Sequence, residues 1–341
     1  MLHSPPKLPI IAVCVVAAMA VTCQRAQEVQ SPTIHSLRGT TETTLAVGEE
    51  GGLTRCRCRS DGTLLVLSGS PQKLVAWSLA AGVSLMARSG EGPGELDSRV
   101  NLMSQDGTVI FVHSLLPPKT RRYGDGGFDD TIYHEDPIVS LLERDGMAVA
   151  AVATPLSVLA ENQPGPTIIR LARERKGGRE EWVRTGVLDA GGRGLAPDAE
   201  FLFRMMCKLV ARDQHTFYRV PLWGYGNIEI WSLDGALERT FPIPTRRASQ
   251  LTDQGLSGPS MDVASGVVLR DAMSDPGGRL HLLAPPDEDG EKHKIIILDV
   301  DGDEVQVYEI DIPIACLAID ETGSYIGIAD ETGQVVRFQT P

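Results

Sequence analysis

The chain has 341 residues, 42% of them hydrophobic, enough for one large or two ordinary domains with a substantial core. Glycine (35) and proline (22) are frequent and aromatics make up 5%, a mix that favours many short strands and turns over long helices. The formal charge of −13 sets the surface against nucleic acid and anionic lipid, and its plain reading is solubility.

Met1–Lys7 carries one lysine and no acid, and Leu8–Val21 is then almost wholly apolar up to Thr22 and Cys23. That run is short for a membrane span and suits the apolar region of an export signal. Ala20-Val21-Thr22-Cys23 resembles a bacterial lipoprotein signal, which implies lipidation at Cys23. Ala20 stands where leucine is usual and Thr22 where a smaller residue is usual, so plain secretion and an uncleaved anchor stay open. The expected layout is a signal over 1–22, a polar tether over 23–43 and a folded domain over 44–341. The expected location is the cell envelope, as a periplasmic or outer-membrane lipoprotein, or outside the cell. Membrane contact is expected only through the N-terminal lipid or signal anchor.

From Leu53 onward a unit recurs: an apolar strand, an Asp-type turn, a second alternating strand, a third, a second turn and a fourth strand. The first turns fall at Asp61-Gly62, Asp106-Gly107, Asp145-Gly146, Asp213-Gln214, Asp275-Pro276-Gly277 and Asp320-Glu321-Thr322-Gly323. Asp and Gly suit such turns because both tolerate positive φ. The second turn type appears at Trp77–Gly82, Trp231–Gly235 and Leu298–Gly302. The resulting units run to about 40–70 residues, the length of propeller blades. The expected fold is all-β, a six-bladed β-propeller of four-stranded antiparallel blades, with a β-sandwich pair as the alternative. The last unit shows three strands, Ile314–Ile319, Tyr325–Ala329 and Gln334–Gln339. An N-terminal strand, Thr44–Val47 or Thr33–Leu37, is expected to complete it and close the ring. Thr154–Thr167 and Arg246–Ser265 break the spacing as long crossings, read equally as functional loops or tolerated insertions.

Between the first and second units stands Ser89-Gly90-Glu91-Gly92-Pro93-Gly94-Glu95-Leu96. Together with the export signal and the six-unit count, it resembles the bacterial six-bladed β-propellers related to NHL repeats. Many of these carry Gly-x-Gly-Pro-Gly-Glu-Phe after an early blade, and here Leu96 replaces the phenylalanine. The resemblance implies the propeller fold and an exported or surface-attached binding protein, without a defined activity. Physically, Gly90, Gly92, Pro93 and Gly94 make a rigid corner whose amides Glu91 and Glu95 can cap.

Arg55-Cys56-Arg57-Cys58-Arg59 lies in the innermost strand of the first unit, so Arg55, Arg57 and Arg59 are candidate ligands for a carboxylate or phosphate near the axis. The competing reading is pairing with acids of adjacent blades. In an oxidising compartment, Cys58 or its neighbour Cys56 is expected to bridge to Cys316 in the last unit, with Cys207 left free and buried. Asp299–Glu304 resembles the start of a calcium loop but lacks the later carboxylate, and the cysteines lack zinc-module spacing. No cofactor is therefore expected, calcium and zinc being the lesser alternatives. His113, His215 and His281 fall near second strands of different units, with no spacing that joins them. No Gly-x-Ser-x-Gly elbow is present, and Gly124–Gly127 lacks the lysine and helix of a phosphate loop. The expected function is a monomeric binding or scaffold module for a peptide, glycan or protein partner, without nucleic acid. A propeller lyase or hydrolase with an axial metal or acid/histidine site is the alternative.

Overall fold

A computed structural model describes residues 34–341, leaving out 46–54, 60–62, 69–71, 91, 93, 98–100, 107–108, 116, 125–126, 145, 154–165, 191–203, 225–226, 250–265, 287–291 and 330–331. The signal, Cys14, Cys23, Pro93, the Asp61-Gly62 turn and most of the two long crossings lie outside the described residues. Strands dominate the rest. The first sheet is an antiparallel meander of β3 (Arg55–Cys58), β4 (Leu64–Ser68), β5 (Lys73–Ser78) and β6 (Gly82–Arg88). An eight-stranded sheet follows, containing β7 (Asn101–Asp106), β8 (Val109–Leu115), β9 (Pro118–Gly124), β10 (Gly127–Tyr133), β11 (Ile138–Arg144), β12 (Met147–Val152), β13 (Ile168–Lys176) and β14 (Arg179–Asp189). Within it, β10 meets β14 in parallel at the single pair Tyr133↔Glu181. The third sheet holds β15 (Cys207–Ala211), β16 (Thr216–Pro221), β17 (Asn227–Ser232) and β18 (Leu237–Pro242).

The last two sheets take in the N-terminus. β19 (Asp271–Ser274), β20 (Leu280–Ala284), β21 (His293–Leu298) and β22 (Glu304–Ile310) are extended by β1 (Ile34–Leu37), which pairs with β22 in parallel. β23 (Ile314–Ile319), β24 (Tyr325–Ala329) and β25 (Gln334–Phe338) are completed by β2 (Gly39–Thr44), antiparallel to β25. The closing strand is thus Gly39–Thr44, which begins five residues before the expected Thr44–Val47 and shares Thr44 with it. Ile34–Leu37 instead lies on the neighbouring sheet. Gly39 makes the step between sheets, where a Cβ would meet Val336 Cγ1 at 2.5 Å, and its N–H donates to Asp311 Oδ1 at 2.8 Å. Residues 34–37 and 39–43, read from their polarity as tether, are therefore strand.

The arrangement is a β-propeller. The first strands β3, β7, β11, β15, β19 and β23 neighbour one another in that order, and β23 returns to β3. Each sheet face packs on the next. Leu64, Val66 and Trp77 meet Ile326, Ile328 and Val335 of the last sheet, while Leu65, Leu67 and Leu74 meet Met103, Ile110 and Val112 of the second. This explains why β4 is apolar without alternation: both its faces are buried. Each such aliphatic side chain contributes about 1.5–3 kcal/mol. The outer strand β6 shows the opposite, with only Ala87 fully buried.

The Asp-type turns hold several hairpins in one way. The Oδ1 atoms of Asp213, Asp275 and Asp320 each accept two backbone N–H groups: His215 (2.7 Å) and Thr216 (2.8 Å), Gly277 (2.9 Å) and Arg279 (3.0 Å), Thr322 (2.9 Å) and Ser324 (3.0 Å). Asp299 does the same between β21 and β22, accepting from Asp301 and Asp303 at 2.9 Å each. The Asp299–Glu304 run is thus a hairpin turn.

Candidate functional site

Antiparallel order puts the first-to-second and third-to-fourth strand turns at one end of the ring and every other connection at the opposite end. The first end is made of tight turns. The second carries the long connections, 153–167 between β12 and β13, 190–206 between β14 and β15, and 243–270 between β18 and β19. The two ends of the ring are therefore chemically unlike.

Around the axis, each first strand is tied to the next by a side chain. Arg57 on β3 donates to the carbonyl of Met103 on β7 at 3.3 Å. Ser104 Oγ on β7 accepts from Leu141 N on β11 at 3.2 Å, and Ser140 Oγ on β11 from Leu209 N on β15 at 3.0 Å. Lys208 on β15 donates to Asp271 Oδ1 and to the carbonyl of Ala272 on β19. Asp271 Oδ2 accepts from Leu317 N on β23 at 2.9 Å. The last link is covalent. Cys316 on β23 is disulfide-bonded to Cys56 on β3, with Cα atoms 5.6 Å apart. The bonding partner is Cys56 and not the expected Cys58, and Cys56 shares a buried cluster with Cys316. Cys207 is buried and outside any disulfide, as expected.

The three arginines do not form one site. Arg59, at the tight-turn end of β3, donates to the carbonyl of Gly124 at 3.2 Å. Arg57 is 6% exposed and reaches Asp271 Oδ2 at 3.3 Å. Asp271 is the centre of the cluster. Its Oδ1 accepts from Lys208 and from Ala272 N (2.9 Å), and its Oδ2 from Arg57 and Leu317 N. Four hydrogen bonds fill a carboxylate's accepting capacity. Burial pushes the Asp271 pKa up, but Lys208 and Arg57 outweigh it and hold the carboxyl below its usual range. Burial, then Arg57, brings Lys208 down to about 7.

Arg55 stands at the other end of β3, facing the loop-rich end of the ring. The residue is partly open to solvent. It makes no ion pair or hydrogen bond with any described residue, and its Nε is shut off from solvent without a partner. Burial and the neighbouring Arg57 lower its pKa to about 10, with Asp271 partly offsetting them. Neither Lys208 nor Asp271 was picked out in the sequence. The signal was there: a lone charge in an otherwise apolar first strand, at the position that holds Ser140 and Cys316 in other sheets.

Beside this cluster runs a hydrogen-bond chain whose direction is fixed. His134 Nδ1 faces the carbonyl of Asp136 at 2.6 Å and so carries the proton. His134 Nε2 then accepts from Thr120 Oγ1 at 3.0 Å, and Thr120 accepts from His113 Nδ1 at 2.9 Å. His113 Nε2 accepts from Ser104 Oγ at 2.6 Å, which itself accepts from Leu141 N. Both rings are neutral. Burial, with His134 and Arg55 nearby, holds His113 well below its usual pKa. Burial lowers His134 to about 4, against backbone bonds to Asp136 and Lys119. His281 and His215 are elsewhere, the first on Tyr325 Oη at 2.8 Å, the second in the Asp213 turn.

The 89–96 segment is a corner between sheets. Gly90 N donates to the Leu96 carbonyl, and Leu96 N to the Arg88 carbonyl, both at 2.8 Å. Glu95 Oε2 accepts from Gly92 N at 2.9 Å, which is the amide cap expected of it. Gly94 has φ +73°, and a Cβ there would meet Phe128 at 2.9 Å. Tyr123 Oη donates to the Gly94 carbonyl at 3.0 Å, and Leu96 is fully buried beneath.

No protein-family model and no curated protein sequence matches the chain. Solved structures do match. A protein of unknown function from Bacteroides thetaiotaomicron aligns with a TM-score of 0.53 at 10% identity, covering 88% of this chain and 75% of that one. A gluconolactonase from Xanthomonas campestris aligns at 0.49 and 16% identity, covering 89% and 90%. The WD40 β-propeller domain of Doa1 aligns at 0.47 and 11%, covering 89% and 97%. At such identities the likeness is one of fold, and no activity passes from these proteins to this chain.

Proposed function

We propose that this chain is an exported β-propeller of six four-stranded blades, a binding module that holds a peptide, glycan or protein partner on its loop-rich end. The observation that carries the reading is the unlikeness of the two ends. One is closed by Asp-stapled turns, while the other is the end to which the long connections 153–167, 190–206 and 243–270 belong and at which β3 begins with Arg55. Binding surfaces on rigid scaffolds are commonly built from such loops. The blade count rests on the lone Tyr133↔Glu181 pair joining β7–β10 to β11–β14, each half having its own first strand in the ring. The 90–96 corner supports a relation to the NHL-type bacterial propellers. Export, with lipidation at Cys23, rests on the apolar Leu8–Val21 run and the Cys that follows. The test is a panel of peptides and glycans with hydrogen exchange read on each binder. Protection in 153–167 and 243–270 is expected. Protection confined to 213–216, 275–279 and 320–324 would overturn the proposal.

A further inference from the structure

We infer that Arg55 is the anchor of an anion site at the axis, and that it takes a carboxylate or phosphate group of the bound molecule. The inference deepens the reading of the loop-rich end as the binding face, and rests on it. Among the described residues, the axial cluster holds Arg55, Arg57 and Lys208 against one acid, Asp271. Asp271 commits all four of its acceptor positions to Arg57, Lys208 and the amides of Ala272 and Leu317. Nothing of it is left for Arg55. The guanidinium therefore keeps its terminal N–H donors beside a second cation, at the end of β3 that faces the loops.

The surrounding chemistry favours a ligand rather than a missing internal partner. His113, within electrostatic reach of Arg55, is neutral and its two nitrogens are committed to Ser104 and Thr120. On the segment leading into β7, Asp97 is held by Lys119 (2.8 Å) and Arg121 (2.9 Å), and Glu95 by Gly92 N. A partly desolvated cation with no ion pair among the described residues is costly, and an incoming oxyanion meets it with two parallel N–H···O bonds. Arg57 and Lys208 add positive potential without having to leave Asp271.

The experiment is thermal unfolding of the purified full chain with millimolar inorganic phosphate or succinate, against chloride at matched ionic strength. At least one of the two should raise Tm, by about 2 °C at ten times its Kd. Which probe acts tells phosphate from carboxylate. Arg55→Gln should lose the shift and Arg55→Lys keep part of it. Without added anion, Arg55→Gln should unfold at or above the wild-type temperature, because an uncompensated cation has been removed. The inference is overturned if neither probe exceeds chloride, if Arg55→Gln keeps the shift, or if Arg55→Gln fails to fold, which would show an internal partner. Loop protection by a panel binder, unchanged in Arg55→Gln, would retain the binding face while removing this anchor.

Discussion

Protonation of the histidine chain should destabilise the propeller in a defined pH window. Both folded-state pKa values are depressed, so their contribution is fully present above about pH 6.5, where the unfolded chain is also neutral, and is lost as pH falls. His134 drops from 6.5 to about 4. Between about pH 7 and pH 4.5 it alone should cost about 2 kcal/mol, since each tenfold change in proton affinity is worth about 1.4 kcal/mol. His113 acts in the same direction. Other groups separate cleanly. Lys208 is depressed to about 7, so its contribution is lost between its ordinary pKa and 7 and is flat below. Asp97 and Asp275 are depressed, and lose theirs only below the ordinary carboxylate range. Burial raises Asp136 and Glu143, which oppose the loss in any variant alike. The comparison is wild type against His134→Asn, whose amide keeps a donor for the Asp136 carbonyl. Urea midpoints measured across the window should converge towards acid pH, wild type falling about 2 kcal/mol further than the variant. Parallel curves would show that His134 is not held neutral and would refute the fixed direction of the chain.

Four further outcomes are expected. Gly94→Val should cost about 2–4 kcal/mol, from positive φ and the clash with Phe128, whereas Gly82→Ala, at φ +70° with open space, should cost about 1–2 kcal/mol; equal melting temperatures would contradict the corner. Cys56→Ala should lose about 2–5 kcal/mol, and Cys56 should take a thiol label only after reduction. Asp271→Asn should lose about 3–5 kcal/mol by leaving Arg57 and Lys208 buried and unpaired, and a variant as stable as wild type would remove Asp271 from the centre. Cys23→Ser should shift the protein out of the membrane fraction; unchanged fractionation would end the lipidation proposal.

Much of the fold was legible because it rests on local chemistry. Glu304–Ile310, Ile314–Ile319 and Tyr325–Ala329 are the strands the alternation predicts, since the turns that precede the first and the third are fixed by Asp299 and Asp320 within a few residues. What escaped the sequence was decided at a distance. Thr-rich β2 has no apolar stripe to mark it, and its place follows from the free edge of β25. Cys56 and Cys58 have the period-two spacing of one strand face, so the sequence does not choose between them, and the structure bonds Cys56 to Cys316. Arg57 and Asp271 lie 214 residues apart and meet only once the ring is closed, so neither announces the other.

The closure has a consequence for how the protein reaches its folded state. β1 on β22, β2 on β25 and the Cys56–Cys316 bond all join the beginning of the chain to its end. During synthesis the first strands emerge long before their partners exist, and must wait with open edges until the last strands arrive. A chain cut short anywhere before β25 lacks the partner strand of β2, and one cut before Cys316 also lacks the covalent clasp. The ring therefore closes only once β25 has been made, and a product that stops earlier leaves the edge of β2 without that partner.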